Sequence, residues 1–344
     1  MSKLISIIIP VYNGTDTIHR CLKSVLNQTI GLDKMEILLV DDCSTDDSFS
    51  ILKDYESRFP DSVKVLQTPK NLRVGGARNL GIKHATGDYL GFVDADDWIE
   101  PFMYEHMLEK ALSYDCDVVN CRSFRDAEFA LSEDVVRTDR EDMGIVISNN
   151  TERSDFIVSN IIGTCLAFHI YKRTMITEHS ILSPEGLAYE DNVFDPMVYL
   201  YANRVYLLEE RLYHYYINPD SIVLSLDKPY HNDFFEVGRI RYEEYVKRDA
   251  FKNYKDAVSF DYLMGFYVSG LKILSLRFST PQIEGFKHLR RDTLERIPDA
   301  LSNPYIQTHT TELQRMQIAM LGANMSDEDI KEFLSIVKQS YMGS

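Results

Sequence analysis

Three carboxylates stand within four residues at Asp94-Ala95-Asp96-Asp97, directly after the apolar run 89–93. Carboxylates this close disfavour one another's ionised form, so the cluster calls for a compensating positive charge. Carboxylate oxygens suit Mg²⁺ and Mn²⁺, which commonly bridge to substrate phosphates. The position after an apolar run therefore favours a divalent-metal site. A loop in which Asp97 caps the next helix is the alternative that this motif alone leaves open.

A second acidic pair, Asp41-Asp42, ends the apolar run 37–40. A carboxylate there can accept hydrogen bonds from a nucleobase N–H or from ribose hydroxyls. A turn followed by a helix N-cap explains the same pair without any ligand, and locally that interpretation is the stronger one.

The segment 71–81 combines two glycines with a cation. Gly75 and Gly76 would let a loop approach a ligand closely. A helix is predicted over 77–85, which puts Arg78 in its first turn, where the helix dipole disfavours a cation unless an anion shares the site. A diphosphate would supply that anion. The alternative is an exposed arginine on a helix face.

The remaining candidates are weaker on local grounds. Glu190-Asp191 stand at a predicted helix start, where acidic residues are favourable without any function. Among the histidines only His214 lies in a suggestive setting, and a structural role is the better interpretation for it.

The elements that must position these residues alternate along the first part of the chain. Strands are predicted at 4–9 (ended by Pro10), 37–40, 63–66, 89–93 and 118–121, with helical spacing between them. This order predicts an α/β domain with a mostly parallel central sheet, whose ligands lie beyond the carboxyl ends of the strands. Tyr12-Asn13, Asp41-Asp42 and the acidic cluster all stand at such ends.

Farther along, the pattern changes twice. The stretch 122–150 turns polar and irregular, and beyond about 230 long amphipathic helical segments replace the strands. We therefore predict an α/β domain over 1–230, divided into a nucleotide-binding half (1–121) and an acceptor half (122–230), followed by a helical region over 231–344.

Composition excludes several classes. The formal charge of −16 opposes binding to nucleic acid. The five cysteines form no C-x-x-C motif and are expected to be reduced, as in the cytoplasm. No segment is apolar enough for a membrane span, so a cytoplasmic protein, at most peripheral at the inner membrane face, is expected.

Together these residues resemble the family-2 glycosyltransferases, which have the GT-A fold. The motifs follow one another in family order and spacing over roughly the first 200 residues, whereas the helical C-terminal region lies outside the resemblance. They are Ser6-Ile7-Ile8-Ile9-Pro10-Val11-Tyr12-Asn13, Leu39-Val40-Asp41-Asp42-Cys43-Ser44-Thr45-Asp46, Gly75-Gly76-Ala77-Arg78-Asn79-Leu80-Gly81, Gly87-Asp88-Tyr89-Leu90, Phe92-Val93-Asp94-Ala95-Asp96-Asp97 and Tyr189-Glu190-Asp191.

The resemblance implies a role for each matching residue. Tyr12 would flank the base, Asp42 rather than Asp41 would contact uracil, and Arg78 would help place the diphosphate. Asp94 would face the ribose, Asp96 would ligate Mn²⁺ or Mg²⁺, and Asp191 would be the catalytic base of an inverting displacement. The implied nucleotide-binding set is Pro10, Tyr12, Asn13, Asp41, Asp42, Arg78, Asp94, Ala95 and Ser221.

The implied substrates are a nucleotide sugar, with UDP favoured, and a glycan, wall-polymer, lipid-linked or protein acceptor, as in polysaccharide biosynthesis. The C-terminal helices fit acceptor binding, a homo-oligomer or a membrane contact equally well. One departure from the family is that Tyr216 and Asn218 stand where arginines are expected before Ser221. The competing interpretations are a nucleotidyltransferase, which would want a basic Gly-rich loop after the first strand, and a catalytically inactive scaffold.

Overall fold

The structure is a computed structural model that describes residues 3–132, 134–217 and 225–342. Its contacts separate into two compact units. One comprises Met1–Ile147 with Ile162–Asn218, and the other comprises Ser148–Ile161 with Pro219–Ser344. The site residues identified above that the structure describes all belong to the first unit. The boundary drawn at 230 from the sequence stays a prediction.

The described part of the first unit is built on a nine-stranded sheet in the order β3-β2-β1-β4-β8-β6-β9-β5, with β7 paired to β9. The strands β3, β2, β1 and β4 are all parallel, whereas β8, β5 and β7 join antiparallel. The predicted α/β class is thereby confirmed, with parallel pairing throughout β3, β2, β1 and β4. The strands are β1 (Ile5–Val11), β2 (Met35–Asp41), β3 (Val63–Gln67), β4 (Tyr89–Phe92), β5 (Trp98–Ile99), β6 (Val118–Asp126), β7 (Met143–Val146), β8 (His169–Lys172) and β9 (Arg204–Tyr216).

Helices pack on the parallel half, whose strands β1 and β4 are buried on both faces. Strand β1 runs on to Val11, so the prediction that Pro10 ends it was wrong. All seven residues of this strand are buried, including Pro10. The α-helices are α1 (Ile18–Leu26), α2 (Ser48–Arg58), α3 (Arg73–His84), α4 (Met103–Ser113), α5 (Asn150–Ser159), α6 (Arg173–Glu178), α7 (Asp191–Tyr201), α8 (Asp233–Lys247), α9 (Ala250–Asn253), α10 (Lys255–Tyr262), α11 (Ser269–Leu276), α12 (Ile283–Arg296), α13 (Ile306–His309), α14 (Glu312–Ala319) and α15 (Asp327–Met342).

In its described residues the second unit is helical, as the amphipathic pattern predicted. Helix α5, which precedes β8 and β9 in the sequence, belongs to this unit and packs on α10. A π-helical stretch (Leu263–Val268) joins α10 to α11 without a break. Within the described residues, no helix is both long and apolar enough to cross a membrane.

Candidate active site

The predicted nucleotide residues meet at the carboxyl edge of the parallel strands. Strand β1 lies between β2 and β4, with Val11 opposite Asp41. The backbone N–H of Asp42 donates to the Val11 carbonyl at 2.8 Å, and the Val93 N–H donates to the Ile8 carbonyl at 3.2 Å. Because parallel strands share one carboxyl edge, the polar residues after β1, β2 and β4 become neighbours.

The loop after β1 is held in a fixed conformation. Asn13 has a left-handed backbone (φ 50°), and its side-chain oxygen accepts the Thr45 N–H at 2.8 Å. Its own N–H donates to the Ser44 hydroxyl at 3.0 Å, so Ser44 and Thr45 tie two loops together, while α2 begins later, at Ser48. Tyr12 precedes this turn with half of its surface exposed (51%), which leaves a ring available for stacking.

The two aspartates after β2 differ in how their oxygens are used. Asp41 accepts hydrogen bonds from the Ser44 N–H at both carboxylate oxygens and from the Gln67 amide at 2.9 Å. Asp42 accepts bonds from the Thr68 hydroxyl (2.7 Å) and the Leu72 N–H (2.8 Å) at Oδ1 alone. Its Oδ2 is buried and has no hydrogen-bond partner among the described residues. A buried acceptor without a donor is costly, so this oxygen is suited to a ligand N–H.

The carboxylates of the acidic loop Asp94-Ala95-Asp96-Asp97 have different surroundings. Asp97 accepts hydrogen bonds from the Tyr213 hydroxyl (2.6 Å) and the Tyr216 N–H (2.7 Å), and it does not cap α4, which begins at Met103. Burial and the Asp94 charge raise the pKa of Asp97 to about 8, and the same causes raise the pKa of Asp96 to about 6.

Arg78 lies at the centre of a buried ion-pair cluster. Its guanidinium donates to Asp94 at 2.7 Å and to Glu190 at 2.5 Å. Although burial alone would lower the pKa of Arg78, Asp94 and Glu190 raise it above its usual range, so the cation is permanent. Helix α3 begins at Arg73, which places Arg78 in the second turn. The dipole argument for an anion there was therefore wrong, and carboxylates supply the negative charge.

Gly75 and Gly76 also have a different role from the one predicted, because they lie inside α3. A Cβ on Gly75 would come within 2.3 Å of the Pro184 carbonyl oxygen and 3.2 Å of the Glu190 side chain. Asn79 and Ser183 exchange two hydrogen bonds, of 2.8 and 3.0 Å. Gly75 and Asn79 thus dock the segment 183–190 onto the helix that carries Arg78.

That docking delivers Asp191 as the first residue of α7. Its Oδ1 accepts hydrogen bonds from the N–H (3.0 Å) and the side-chain amide (2.8 Å) of Asn192. No other described residue donates to Oδ2. Burial and the Glu190 charge raise the pKa of Asp191 to about 7, which is close to the ideal for a general base at neutral pH.

One helical turn farther on, Asp195 is fully buried and accepts the Tyr171 hydroxyl at 3.0 Å. Burial, and to a smaller extent the Asp191 charge, raises the pKa of Asp195 well above its usual range. Both effects disfavour the ionised form of Asp195.

The carboxylates of the acidic loop are the kind of ligand that suits Mg²⁺ or Mn²⁺. Among the described residues no cluster of three or more histidine, cysteine or acidic side chains is arranged to hold a metal. Mg²⁺ and Mn²⁺ need only one or two carboxylates when water and phosphate complete the shell. No other described residue donates a hydrogen bond to the Asp96 carboxylate, so this residue fits such a shared site.

Sequence reasoning named most of these positions but missed several partners. The sequence pointed to Glu190 only as the neighbour of Asp191 at a predicted helix start, although its carboxylate forms an ion pair with the Arg78 guanidinium. Asp195 and Arg20 carried no local signal. Ala95 lies against the loop after β1, since a Cβ added to Gly14 would be 3.9 Å from the Ala95 Cβ. Ser221 and Asn218 lie outside the described residues.

The chain is similar in sequence to known proteins. The family model described as Glycosyl transferase family 2 matches residues 6–179. The putative glycosyltransferase EpsH of Bacillus subtilis is 32% identical over 248 residues, which cover 70% of this chain and 67% of EpsH. The uncharacterized glycosyltransferase YibD of Escherichia coli is 34% identical over 222 residues, covering 63% of this chain and 62% of YibD.

A third relative is similar in both sequence and structure. The poly(ribitol-phosphate) beta-N-acetylglucosaminyltransferase TarS of Staphylococcus aureus is 28% identical over 267 residues, covering 75% of this chain and 43% of TarS. The crystal structure of TarS residues 1–349 in complex with UDP-GlcNAc has a TM-score of 0.72 at 22% identity, covering 98% of this chain and 91% of that one. At this identity the likeness to the crystal structure shows the fold.

Proposed function

The chain belongs to glycosyltransferase family 2, and from that premise we propose that it transfers a sugar from a UDP-sugar to a hydroxyl group of a polymer acceptor, with inversion and with help from a divalent metal. The observation that carries this proposal is the Arg78 guanidinium. It joins Asp94, in the acidic loop of the nucleotide half, to Glu190, the residue before Asp191. The diphosphate end of a donor and the base that activates an acceptor would therefore meet at one cluster.

Two features support UDP as the nucleotide. The unpartnered Oδ2 of Asp42 is suited to an N–H donor, which uracil presents at N3. Asp41 has its oxygens occupied by Gln67 and Ser44, so Asp42 is the better candidate for contact with the base. The exposed Tyr12 ring lies on the loop beside them and would flank the base. Asn13 shapes that loop, and Pro10 lies near the end of β1, just before it.

At the diphosphate, Asp96 would hold Mg²⁺ or Mn²⁺, with Asp94 and Ala95 on the ribose side. When bound, the metal would supply positive charge to the leaving diphosphate. Arg78 neutralises Asp94 and Glu190, which would otherwise repel the donor. The ion pairs use Nη1 and Nη2, whereas the buried Nε of Arg78 has no hydrogen-bond partner among the described residues, so the guanidinium retains a donor for a phosphate. Ser221, outside the described residues, stays a predicted phosphate ligand.

Asp191 acts as the general base in this proposal. Its Oδ2 takes the proton from the acceptor hydroxyl, and the oxygen attacks the anomeric carbon from the face opposite the departing UDP. The bond from the anomeric carbon to the diphosphate oxygen breaks as the new glycosidic bond forms. A single base suffices, because no covalent sugar–enzyme intermediate is formed.

A polymer acceptor is supported by the relatives. TarS is named for transfer to poly(ribitol-phosphate), although the match spans less than half of its length. The sugar and the linkage are not specified by any described residue. A homo-oligomer through 231–344, a peripheral membrane contact and a cytoplasmic location stay predictions from the sequence.

The test is calorimetry with UDP, GDP and dTDP, each with and without Mn²⁺, on the wild type and on Asp96→Ala. We expect UDP to bind, Mn²⁺ to strengthen its binding, and Asp96→Ala to abolish that strengthening while the protein stays folded. Binding of no nucleotide under any condition would contradict the proposed donor and favour an inactive scaffold. Release of pyrophosphate from a nucleoside triphosphate would instead favour a nucleotidyltransferase.

A further inference from the structure

Arg20, on α1, is a second arginine that contacts the acidic loop, besides Arg78. Its Nη2 donates a hydrogen bond to the backbone carbonyl of Asp96. The two residues are separated by 76 positions in sequence, so no local pattern announces the contact. The bond engages the carbonyl and leaves the Asp96 carboxylate unoccupied.

Two aromatic rings enclose the Arg20 guanidinium. Its central carbon lies 4.5 Å from the centre of the Trp98 ring and 4.4 Å from the centre of the Tyr216 ring. Both distances are within the range of favourable cation–π contact. A planar guanidinium can stack on a ring and donate hydrogen bonds in its own plane at the same time, whereas an ammonium cannot.

Both rings are themselves anchored. The Trp98 indole N–H donates to the Ala130 carbonyl at 2.7 Å, and its ring stacks on His214 with centres 5.1 Å apart. The Tyr216 N–H donates to Asp97 at 2.7 Å. Arg20 is therefore held in one orientation, and through it the acidic loop is held from α1, β5 and the end of β9.

Tyr216 is one of the two positions at which this chain departs from the arginines expected before Ser221. The region around Tyr216 still contains a positive charge, because the Tyr216 ring packs on the Arg20 cation. The substitution thus couples the end of β9 to the acidic loop through Arg20.

We propose that Arg20, stacked between Trp98 and Tyr216 and bonded to the Asp96 carbonyl, is a positioning residue that orients the Asp96 carboxylate for metal-dependent binding of the nucleotide diphosphate. This inference rests on the proposed function, since it assumes that Asp96 binds the metal. Residues behind a metal ligand commonly change metal affinity by about 10- to 100-fold when they are removed. Arg20 is predicted to fall within that range.

The experiment compares wild type with Arg20→Gln, Arg20→Lys and Tyr216→Leu by calorimetry of UDP with and without Mn²⁺. Lys23→Gln, which removes an exposed cation from the same helix, is the matched control. Thermal unfolding without ligand gives the structural contribution separately. Arg20→Lys and Tyr216→Leu keep the test available if Arg20→Gln fails to fold.

For Arg20→Gln we expect UDP affinity in Mn²⁺ to fall at least about 10-fold, with metal-free UDP affinity unchanged. Arg20→Lys and Tyr216→Leu should show the same loss to a smaller degree, and Lys23→Gln should show none. A variant that unfolds at lower temperature but retains the full Mn²⁺ enhancement would overturn the proposal, because Arg20 would then only stabilise the fold. Absence of Mn²⁺ enhancement in the wild type would instead refute the metal-dependent function on which this inference rests.

Discussion

The packing of segment 183–190 on α3 predicts a large catalytic effect from a single methyl group. In Gly75→Ala the new Cβ would lie 2.3 Å from the Pro184 carbonyl oxygen, a backbone atom that cannot rotate away. The segment must retreat by about 1 Å to reach ordinary van der Waals contact, and it carries Glu190 and Asp191 with it. A displacement of about 1 Å at a reacting group can lower the rate by about 100-fold.

The effect on stability should be much smaller. Overpacking costs about 1–3 kcal/mol, while alanine gains about 1 kcal/mol over glycine inside a helix. We therefore expect the free energy of unfolding to fall by no more than about 2 kcal/mol, and UDP affinity to change little, because Asp42 and Asp96 are not on the displaced segment.

The assay is the rate of UDP release from the donor sugar at saturating acceptor, with urea unfolding and UDP calorimetry run in parallel. Gly144→Ala is the control, because its Cβ would meet the Tyr206 ring at an ordinary 3.7 Å. If Gly75→Ala kept the wild-type kcat while remaining folded, the contact between α3 and segment 183–190 would not position the base, and the argument would be refuted.

The remaining predictions concern individual side chains. For Asp191, whose pKa is raised to about 7 by burial and the preceding carboxylate, kcat should be low where the acid is protonated and rise with pH to a plateau, with a midpoint near 7. Asp191→Asn should lower kcat by about 10²- to 10⁴-fold and abolish that dependence with UDP affinity retained, and an unchanged pH–rate profile would contradict the assignment. Arg78→Met should lower the free energy of unfolding by about 3–5 kcal/mol, because it leaves a buried carboxylate without its cation. Arg58→Met, which breaks an exposed pair, should cost less than about 1 kcal/mol in the same urea titration, and equal losses would argue against the buried cluster. Asp42→Ala should weaken UDP binding by about 1.5–3 kcal/mol and erase any preference for UDP over CDP, because cytosine has no N–H at N3. Retention of that preference would point to another base-reading residue.

The comparison of sequence with structure separates local from distant information. The apolar runs of β1, β2 and β4 and the polar residues after them were predictable, because a strand buried on both faces leaves a continuous apolar signal. Parallel strands share a carboxyl edge, so the meeting of Tyr12, Asp42 and the acidic loop followed from that signal. The residue types after β4 favoured a metal site and the family resemblance implied the nucleotide roles, and both stay predictions.

Errors arose where tertiary contacts outweigh local preference. Gly75 and Gly76 predicted a loop before a helix at Ala77, yet α3 begins at Arg73. The cost of glycine in a helix is about 1 kcal/mol per residue, which packing of the buried α3 face can offset. Gly75 allows the close approach of Pro184, whereas a Cβ on Gly76 would lie 2.3 Å from the Leu72 Cβ.

The sequence by itself determined the fold class, the order of the strands along the chain in the parallel half and the kinds of side chain that follow them. Only the tertiary structure decided which of them are partners: Arg78 joins Asp94 to Glu190, the second across 112 positions, and Arg20 reaches Asp96 across 76. Periodicity reports on neighbours within a few residues, whereas these contacts depend on how whole elements pack. The physical reason is that a buried cation must find its anions in space, wherever in the sequence they occur.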